Sequence, residues 1–241
     1  SGILRVNYEP VFDVAVAVVD CLFDIQTNLT VIQDLRDLID AAQVIVANKA
    51  VLRRDFIGHI YHKVTGDVAT RKGYATFYTK APIAYFLAAL ALHSPNDEWG
   101  LDWGDLRALK EKFKICDFAC GSGTLLSASY AALQTLYRRA CFNKGEQPNL
   151  SEFHKSVLED VIWGFDALEH AAQTASVVLS LHEPGVPLRK MRIYHVPVDR
   201  TGSLGSLNFW WGDRQLVPIE RRGVEEIAKE EVVIPRFDLV I

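Results

Sequence analysis

The chain has 241 residues, of which 49% are hydrophobic and 23% charged, and this length allows one α/β domain with a helical extension. The formal net charge of -4 excludes a global attraction to polyanions, so any contact with nucleic acid must come from local basic groups. The four cysteines form no Cys-x-x-Cys pair, which argues against a zinc site and for a reducing cytoplasm. No membrane association is expected, because no helix candidate reaches the about 20 apolar residues of a membrane span.

Residues 1–72 are predicted to form a helical domain. Apolar residues recur there at helical spacing, and the clearest run comprises Val31, Leu35, Leu38, Ala42 and Ile45. Thr30 and Gln33 fit a capping box, which predicts that a helix begins at this point. The serine and glycine at positions 1 and 2 are typical of a removed tag, so we expect the natural protein to begin differently.

An α/β pattern is predicted from residue 73 to residue 241. Helices are expected at 82–92, at 106–113, from a glycine turn to residue 139, and at 167–181, with Ser151 as the N-cap of a further helix. Strands are expected at 114–117, 161–165, 191–196, 207–211 and 237–241. Because strands alternate with helices, the sheet should be parallel and doubly wound.

The segment 114–126, KICDFACGSGTLL, is the most informative part of the chain. An apolar run ends in Asp117, passes through a Gly-x-Gly turn and re-enters an apolar helical pattern. Gly121 and Gly123 lack the side chains that would block a ligand, and both tolerate positive φ. Asp117 ends a strand, where open α/β sheets bind their ligands. Its carboxylate favours a ligand with hydroxyls or an ammonium group and would repel a diphosphate.

Two further acids follow predicted strands. Asp166 ends the second strand as Asp117 ends the first, so both carboxylates should reach one crevice. Asp166 suits bidentate binding of ribose hydroxyls, or it is a helix N-cap with Glu169 completing a capping box. The 49 residues from Asp117 to Asp166 exceed the ~20 of a dinucleotide-binding unit, which argues against a nicotinamide cofactor. Asp213 follows the run 207–211 and is either a third site residue or a solvated turn residue.

The segment 117–124, DFACGSGT, resembles the S-adenosylmethionine motif of amino-group DNA methyltransferases, in particular the N6-adenine class. Segment 73–83, GYATFYTKAPI, resembles the segment that precedes this motif in that family. Segment 55–63, DFIGHIYHK, is similar to modification subunits of type I restriction–modification systems and related fused enzymes. The resemblance implies an α/β fold, with an incomplete Rossmann-like methyltransferase sheet at residues 73–241 after the helical N-terminal domain.

The resemblance also implies S-adenosylmethionine as the cofactor. By position, Tyr78 and Thr79 would contact its methionine part, and Asp117 would face its ammonium group. The remaining lining residues would be Phe118, Ala119, Cys120, Gly121, Ser122, Gly123 and Thr124.

At the nucleoside end, the resemblance implies three further contacts. Asp166 would hold the ribose hydroxyls, Ala167 would lie beside the adenine ring, and Asp213 would accept from the adenine amino group. Two positions depart from the family pattern: Phe118 and Lys80 stand where prolines are usual.

In this family, a strand such as 237–241 runs into an Asn/Asp-Pro-Pro-aromatic motif that binds the extruded adenine. The sequence stops at Ile241, so we expect this chain to lack the motif and to be inactive alone. The full-length parent would be a site-specific DNA adenine-N6 methyltransferase that contacts DNA and specificity or restriction subunits. Two alternatives stay open: a fragment of an RNA or protein methyltransferase, and a non-catalytic helical interaction module with a degenerate methyltransferase fold.

Overall fold

A computed structural model of the chain describes residues 79–93, 99–196, 216–222 and 227–241, with only the backbone at 216–222 and 227–233. It also describes six helical positions between residues 33 and 44, all exposed and spaced as on one face of a helix. These positions fall within the helix predicted to begin at Thr30, and the amide of Gln33 donates to Asp37 at 2.9 Å. The other predictions for residues 1–78, and the strand predicted at 207–211, lie outside the described residues.

Four strands form a parallel sheet, as the alternating pattern predicts. They are β1 (Ile115–Asp117), β2 (Ile162–Asp166), β3 (Arg192–His195) and β6 (Leu239–Val240), in the order β3-β2-β1-β6. A separate antiparallel hairpin, β4 (Leu216–Arg222) and β5 (Ile227–Val233), was not predicted from the sequence. Because the four strands are parallel, their carboxyl ends meet at one edge of the sheet, where the acids lie.

Five α-helices and one π-helical turn lie between residues 79 and 196 in the described part of the chain. They are α1 (Ala81–Leu92), α2 (Leu106–Lys112), α3 (Thr124–Lys144), α4 (Leu150–Ser156), the π turn Val157–Val161 and α5 (Glu169–Ser180). None of the described helices combines the length and the hydrophobicity needed to cross a bilayer.

The prediction that Ser151 caps a helix is wrong. The N-cap of α4 is Asn149, whose side-chain oxygen accepts the N–H of Glu152 at 3.1 Å. Asn149 has extended backbone angles, so its side chain reaches back over the first turn, whereas Ser151 lies inside that turn.

The main core lies between one face of the sheet and the helices. Strand residues alternate between faces, so Ile115 and Ile162 enter this core together with Leu126 and Leu133 of α3 and Phe153 of α4. Each such fully buried side chain stabilises the fold by about 1.5–3 kcal/mol. The two crossovers, from β1 to β2 and from β2 to β3, run in the same direction, so both place their helices on this face.

The opposite face of the sheet carries a smaller aromatic core. Trp163 and Phe165 of β2 and Tyr194 of β3 are buried there, and Phe118 and Phe237 pack against them. Phe118 stacks on Phe165, with ring centroids 5.6 Å apart. In the described residues no helix contributes to this core, so helices on both faces, as in a doubly wound sheet, stay a prediction.

A buried polar network crosses the main core. Ser127 and His182 are hydrogen-bonded at 2.6 Å between Oγ and Nε2, and the Tyr130 hydroxyl contacts Nδ1 of His154 at 3.0 Å. His154 is completely buried. Burial lowers the pKa of its imidazole to about 3, helped by the neighbouring charge of His182, so the ring is neutral in the folded protein.

Candidate cofactor-binding site

The glycine turn joins β1 to α3 and has the left-handed backbone that its glycines predict. Gly121 has φ 54° and Gly123, the N-cap of α3, has φ 83°. The turn is tied to the second strand, because the N–H of Cys120 donates to the carbonyl of Phe165 at 2.9 Å. A second bond closes the turn itself, from the N–H of Gly123 to the carbonyl of Cys120 at 2.7 Å.

The two glycines have different surroundings, and their predicted role in leaving space for a ligand stays a prediction. A Cβ at Gly121 would meet no atom of the described residues within 4 Å, so those residues leave this side of the turn open. A Cβ at Gly123 would lie 3.0 Å from Cβ and 3.1 Å from Cα of Ala175. Gly123 therefore allows α5 to pack closely against the start of α3, whereas the described residues leave room at Gly121.

Asp117 is a buried carboxyl at the tip of β1. Its side chain is 5% exposed, and Oδ1 accepts the N–H of Ala119 at 2.9 Å. The pKa of this carboxyl is raised to about 7, chiefly by burial; the Ala119 N–H lowers it and the charge of Asp166 raises it. A positively charged ligand group would favour the ionised form.

Asp166 is also buried, at 8% exposure, and each of its carboxyl oxygens accepts one backbone N–H group of the protein. Oδ2 accepts the N–H of Gly121 and Oδ1 the N–H of Leu168, each at 2.8 Å. The reading of Asp166 as a helix N-cap is wrong, because the N-cap of α5 is Leu168 and has no side-chain cap. The carboxyl instead holds the residues just before the helix, which delays the start of α5 to Glu169.

The structure brings most other predicted site residues to the same loop. Ala119 and Ala167 are exposed beside the two acids, and Ser122 and Thr124 are buried, with their hydroxyls 3.5 Å apart. Burial raises the pKa of the Cys120 thiol, which argues against a reactive thiolate.

The remaining predicted residues are placed less closely or not at all. Phe118 is partly buried in the aromatic core, where its ring also meets Phe237 edge-on at 5.7 Å. Thr79 is partly buried just before α1. Tyr78 and Asp213 lie outside the described residues.

His195 was missed by the sequence reasoning. It ends β3 and pairs in register with Asp166. Its Nε2 donates to the carbonyl of Ala167 at 3.2 Å, which places the ring beside the second acid. The signal that could have found it is its position, one residue before the end of the strand predicted at 191–196 and so near the carboxyl end of that strand.

No metal centre accompanies the described part of this site. Across residues 79–93, 99–196 and 234–241, no three His, Cys, Asp or Glu side chains are grouped so as to hold an ion.

Comparisons with known proteins give similarity to solved structures alone. No family model matches the chain, and no curated protein matches it. Among solved structures, the chain is similar to a modification subunit of a candidate type I restriction enzyme from Vibrio vulnificus YJ016, with a TM-score of 0.29 and 20% sequence identity. The match covers 47% of this chain and 18% of that chain, so this chain spans less than a fifth of that protein.

Proposed function

We propose that the chain is the S-adenosylmethionine-binding portion of a site-specific DNA adenine-N6 methyltransferase of a restriction–modification system. The observation that carries this proposal is the pairing of two buried carboxyls, Asp117 and Asp166, at the ends of adjacent parallel strands beside a glycine turn. Such a pair disfavours a phosphate-rich cofactor and favours one with an ammonium group and ribose hydroxyls.

The residues present fit this cofactor. Burial raises the pKa of Asp117 to about 7 and so disfavours its ionised form, which the ligand ammonium would stabilise. Gly121 leaves open space at the turn, which would admit the methionine part against the backbone. Asp166 would contact the ribose hydroxyls, and the exposed Ala167 would lie beside the adenine.

The bound cofactor would supply an electrophilic methyl group on its sulfonium. The residues of this chain would bind and orient the cofactor and, through the buried aromatic core under the turn, keep water from one side of the site. Transfer to adenine, contact with DNA and association with specificity or restriction subunits are proposed for the full-length parent.

The position of β6 supports an acceptor site next to the cofactor. Leu239 and Val240 pair with Ile115 and Cys116 in parallel register, and the N–H of Ile241 donates to the carbonyl of Cys116 at 3.0 Å. Residues following β6 in a longer protein would therefore emerge beside Asp117, where an Asn/Asp-Pro-Pro-aromatic motif would face the methyl donor.

Isothermal titration calorimetry on the full chain tests the cofactor assignment. S-adenosylmethionine and S-adenosylhomocysteine should both bind, and Asp117→Asn should weaken both by about tenfold or more, since a charge-assisted contact is lost. 5′-Methylthioadenosine lacks the ammonium group, so Asp117→Asn should leave its affinity unchanged. Asp105→Asn, at the exposed N-cap of α2, is the matched control.

Two results would overturn the assignment. One is that the folded chain binds neither S-adenosyl ligand at millimolar concentration. The other is that Asp117→Asn weakens 5′-methylthioadenosine as much as S-adenosylhomocysteine, because Asp117 would then not face the ammonium group.

A further inference from the structure

Two consecutive amides of the glycine turn are held by two consecutive residues of β2. The N–H of Cys120 donates to the backbone carbonyl of Phe165 at 2.9 Å. The N–H of Gly121 donates to Oδ2 of Asp166 at 2.8 Å, across 45 residues of sequence. The side chain of Asp166 thus binds an amide that a regular parallel ladder would leave pointing away from β2, because consecutive N–H groups of a strand point to opposite sides.

The carboxylate of Asp166 still has acceptor capacity after these contacts. Its two oxygens offer about four acceptor positions, and Gly121 and Leu168 occupy one on each oxygen. The backbone carbonyl of Asp166 separately accepts the N–H of Val196 at 2.8 Å, which fixes the main chain beneath the carboxylate. Because the side chain is 8% exposed, these bonds are shielded from water and assisted by charge.

We propose that Asp166 is a positioning residue that clamps the glycine turn, in addition to any contact with ribose. The clamp is a property of the ligand-free protein. Its consequence for the cofactor rests on the proposed function. The two remaining acceptor positions would bind two ribose hydroxyls, so one carboxylate would hold the ribose and, through Gly121, the turn beside the methionine part. Displacing it disturbs Gly121, and with it the turn that would hold the methionine part.

Asp117 provides the internal contrast. Its carboxyl accepts the N–H of Ala119, two residues along the same turn, and so joins no separate elements. At position 166, asparagine would keep one oxygen and replace the other by an NH2 group that cannot accept. Because the bond to Leu168 closes a local turn, the retained oxygen is expected to stay there, and the NH2 group would face the N–H of Gly121.

Amide hydrogen exchange on the ligand-free full chain, followed by NMR, tests the clamp. In Asp166→Asn, exchange at Gly121 should be faster by about tenfold or more, while exchange at Ala119 stays as in wild type. Asp166→Glu keeps the charge and should recover part of the protection. Asp117→Asn keeps an acceptor for Ala119 and should leave Gly121 unchanged.

The outcomes separate the clamp from its alternatives. Equal exchange at Gly121 in wild type and Asp166→Asn overturns the clamp, and so does an equal rise at Ala119, which would indicate general loosening. A role in ribose binding alone would raise the dissociation constant of S-adenosylhomocysteine in Asp166→Asn without changing exchange at Gly121, which also overturns it. If Gly121 is protected by Asp166 but no S-adenosyl ligand binds, the clamp stands and the proposed function fails.

Discussion

Replacing Asp117 by asparagine should stabilise the ligand-free protein at neutral and alkaline pH. Asparagine has the same shape and keeps an oxygen to accept the N–H of Ala119, but it carries no charge. The pKa of Asp117 is raised from its ordinary value of 3.8 to about 7, chiefly by burial, so ionisation in the folded state is unfavourable. The variant removes that cost.

The sign and size of the effect follow from proton linkage. The folded protein keeps the proton up to about pH 7, whereas the unfolded chain releases it near 3.8, so stability falls as the pH rises through this window. One pKa unit corresponds to about 1.4 kcal/mol, so the cost of the charged form at pH 8 is about 4 kcal/mol. Near pH 4 it is below about 1 kcal/mol, because the carboxyl is then protonated in the folded state.

Urea unfolding of wild type and Asp117→Asn at pH 8 and at pH 4 measures this difference. The variant should be more stable by up to about 4 kcal/mol at pH 8, and the two proteins should converge at pH 4. Asp105→Asn makes the same chemical change at an exposed helix cap and should differ from wild type by only a few tenths of a kcal/mol. A gain at pH 8 that persists unchanged at pH 4, or a loss of stability at pH 8, would refute the reasoning that burial sets this pKa.

Three further predictions test the local structure by substitution. Gly123→Ala should lower the free energy of unfolding in urea by about 2–4 kcal/mol, because the positive φ and the contact with α5 both oppose a Cβ. Gly121→Ala should lower it by only about 1–2 kcal/mol, because only the positive φ opposes the Cβ there. Equal losses in the two variants would contradict the packing role of Gly123. Between pH 7.5 and pH 5, the free energy of unfolding of wild type should fall by about 2 kcal/mol more than that of His154→Gln. The reason is that His154 binds a proton below pH 6.5 in the unfolded chain but only near pH 3 in the folded protein. Parallel pH profiles of the two proteins would contradict this. Asn149→Ala should cost about 1 kcal/mol and Ser151→Ala almost nothing, and the reverse order would restore the cap predicted from sequence.

The sheet strands could be predicted from the sequence because each lies in a short segment rich in apolar residues, set apart from the helical patterns. Their boundaries shifted for local reasons. The strand predicted at 161–165 is observed as Ile162–Asp166, since the π-helical turn takes residue 161. The helix predicted to end at 139 continues to Lys144, where Gly145 adopts φ 71° and stops it. The hairpin of β4 and β5 was missed because Pro218 and a run of charged residues obscure the strand pattern.

The site was predicted as a set of positions, but the connections between them were not. The rule that ligands bind at the carboxyl ends of parallel strands selects Asp117 and Asp166 from sequence alone. The bond from Gly121 to Asp166 depends on strand register across 45 residues, which no local pattern encodes. The contact of Gly123 with Ala175 depends on how α5 packs, and sequence could not distinguish it from a role in ligand access.

The two acids of the site differ in how many N–H groups of the protein they bind, and this difference bears on the charge of a ligand that would bind beside them. Both oxygens of Asp166 accept protein N–H groups, so its charge is compensated before any ligand arrives. Among the described residues Asp117 accepts one such bond, and burial raises its pKa to about 7, so its ionised form is unfavourable. A neutral or anionic ligand would leave that cost in place, whereas a cation would remove it and gain binding free energy from the same source. Under the proposed function, the same carboxyl that lowers the stability of the ligand-free protein would therefore select for a positively charged group beside the glycine turn.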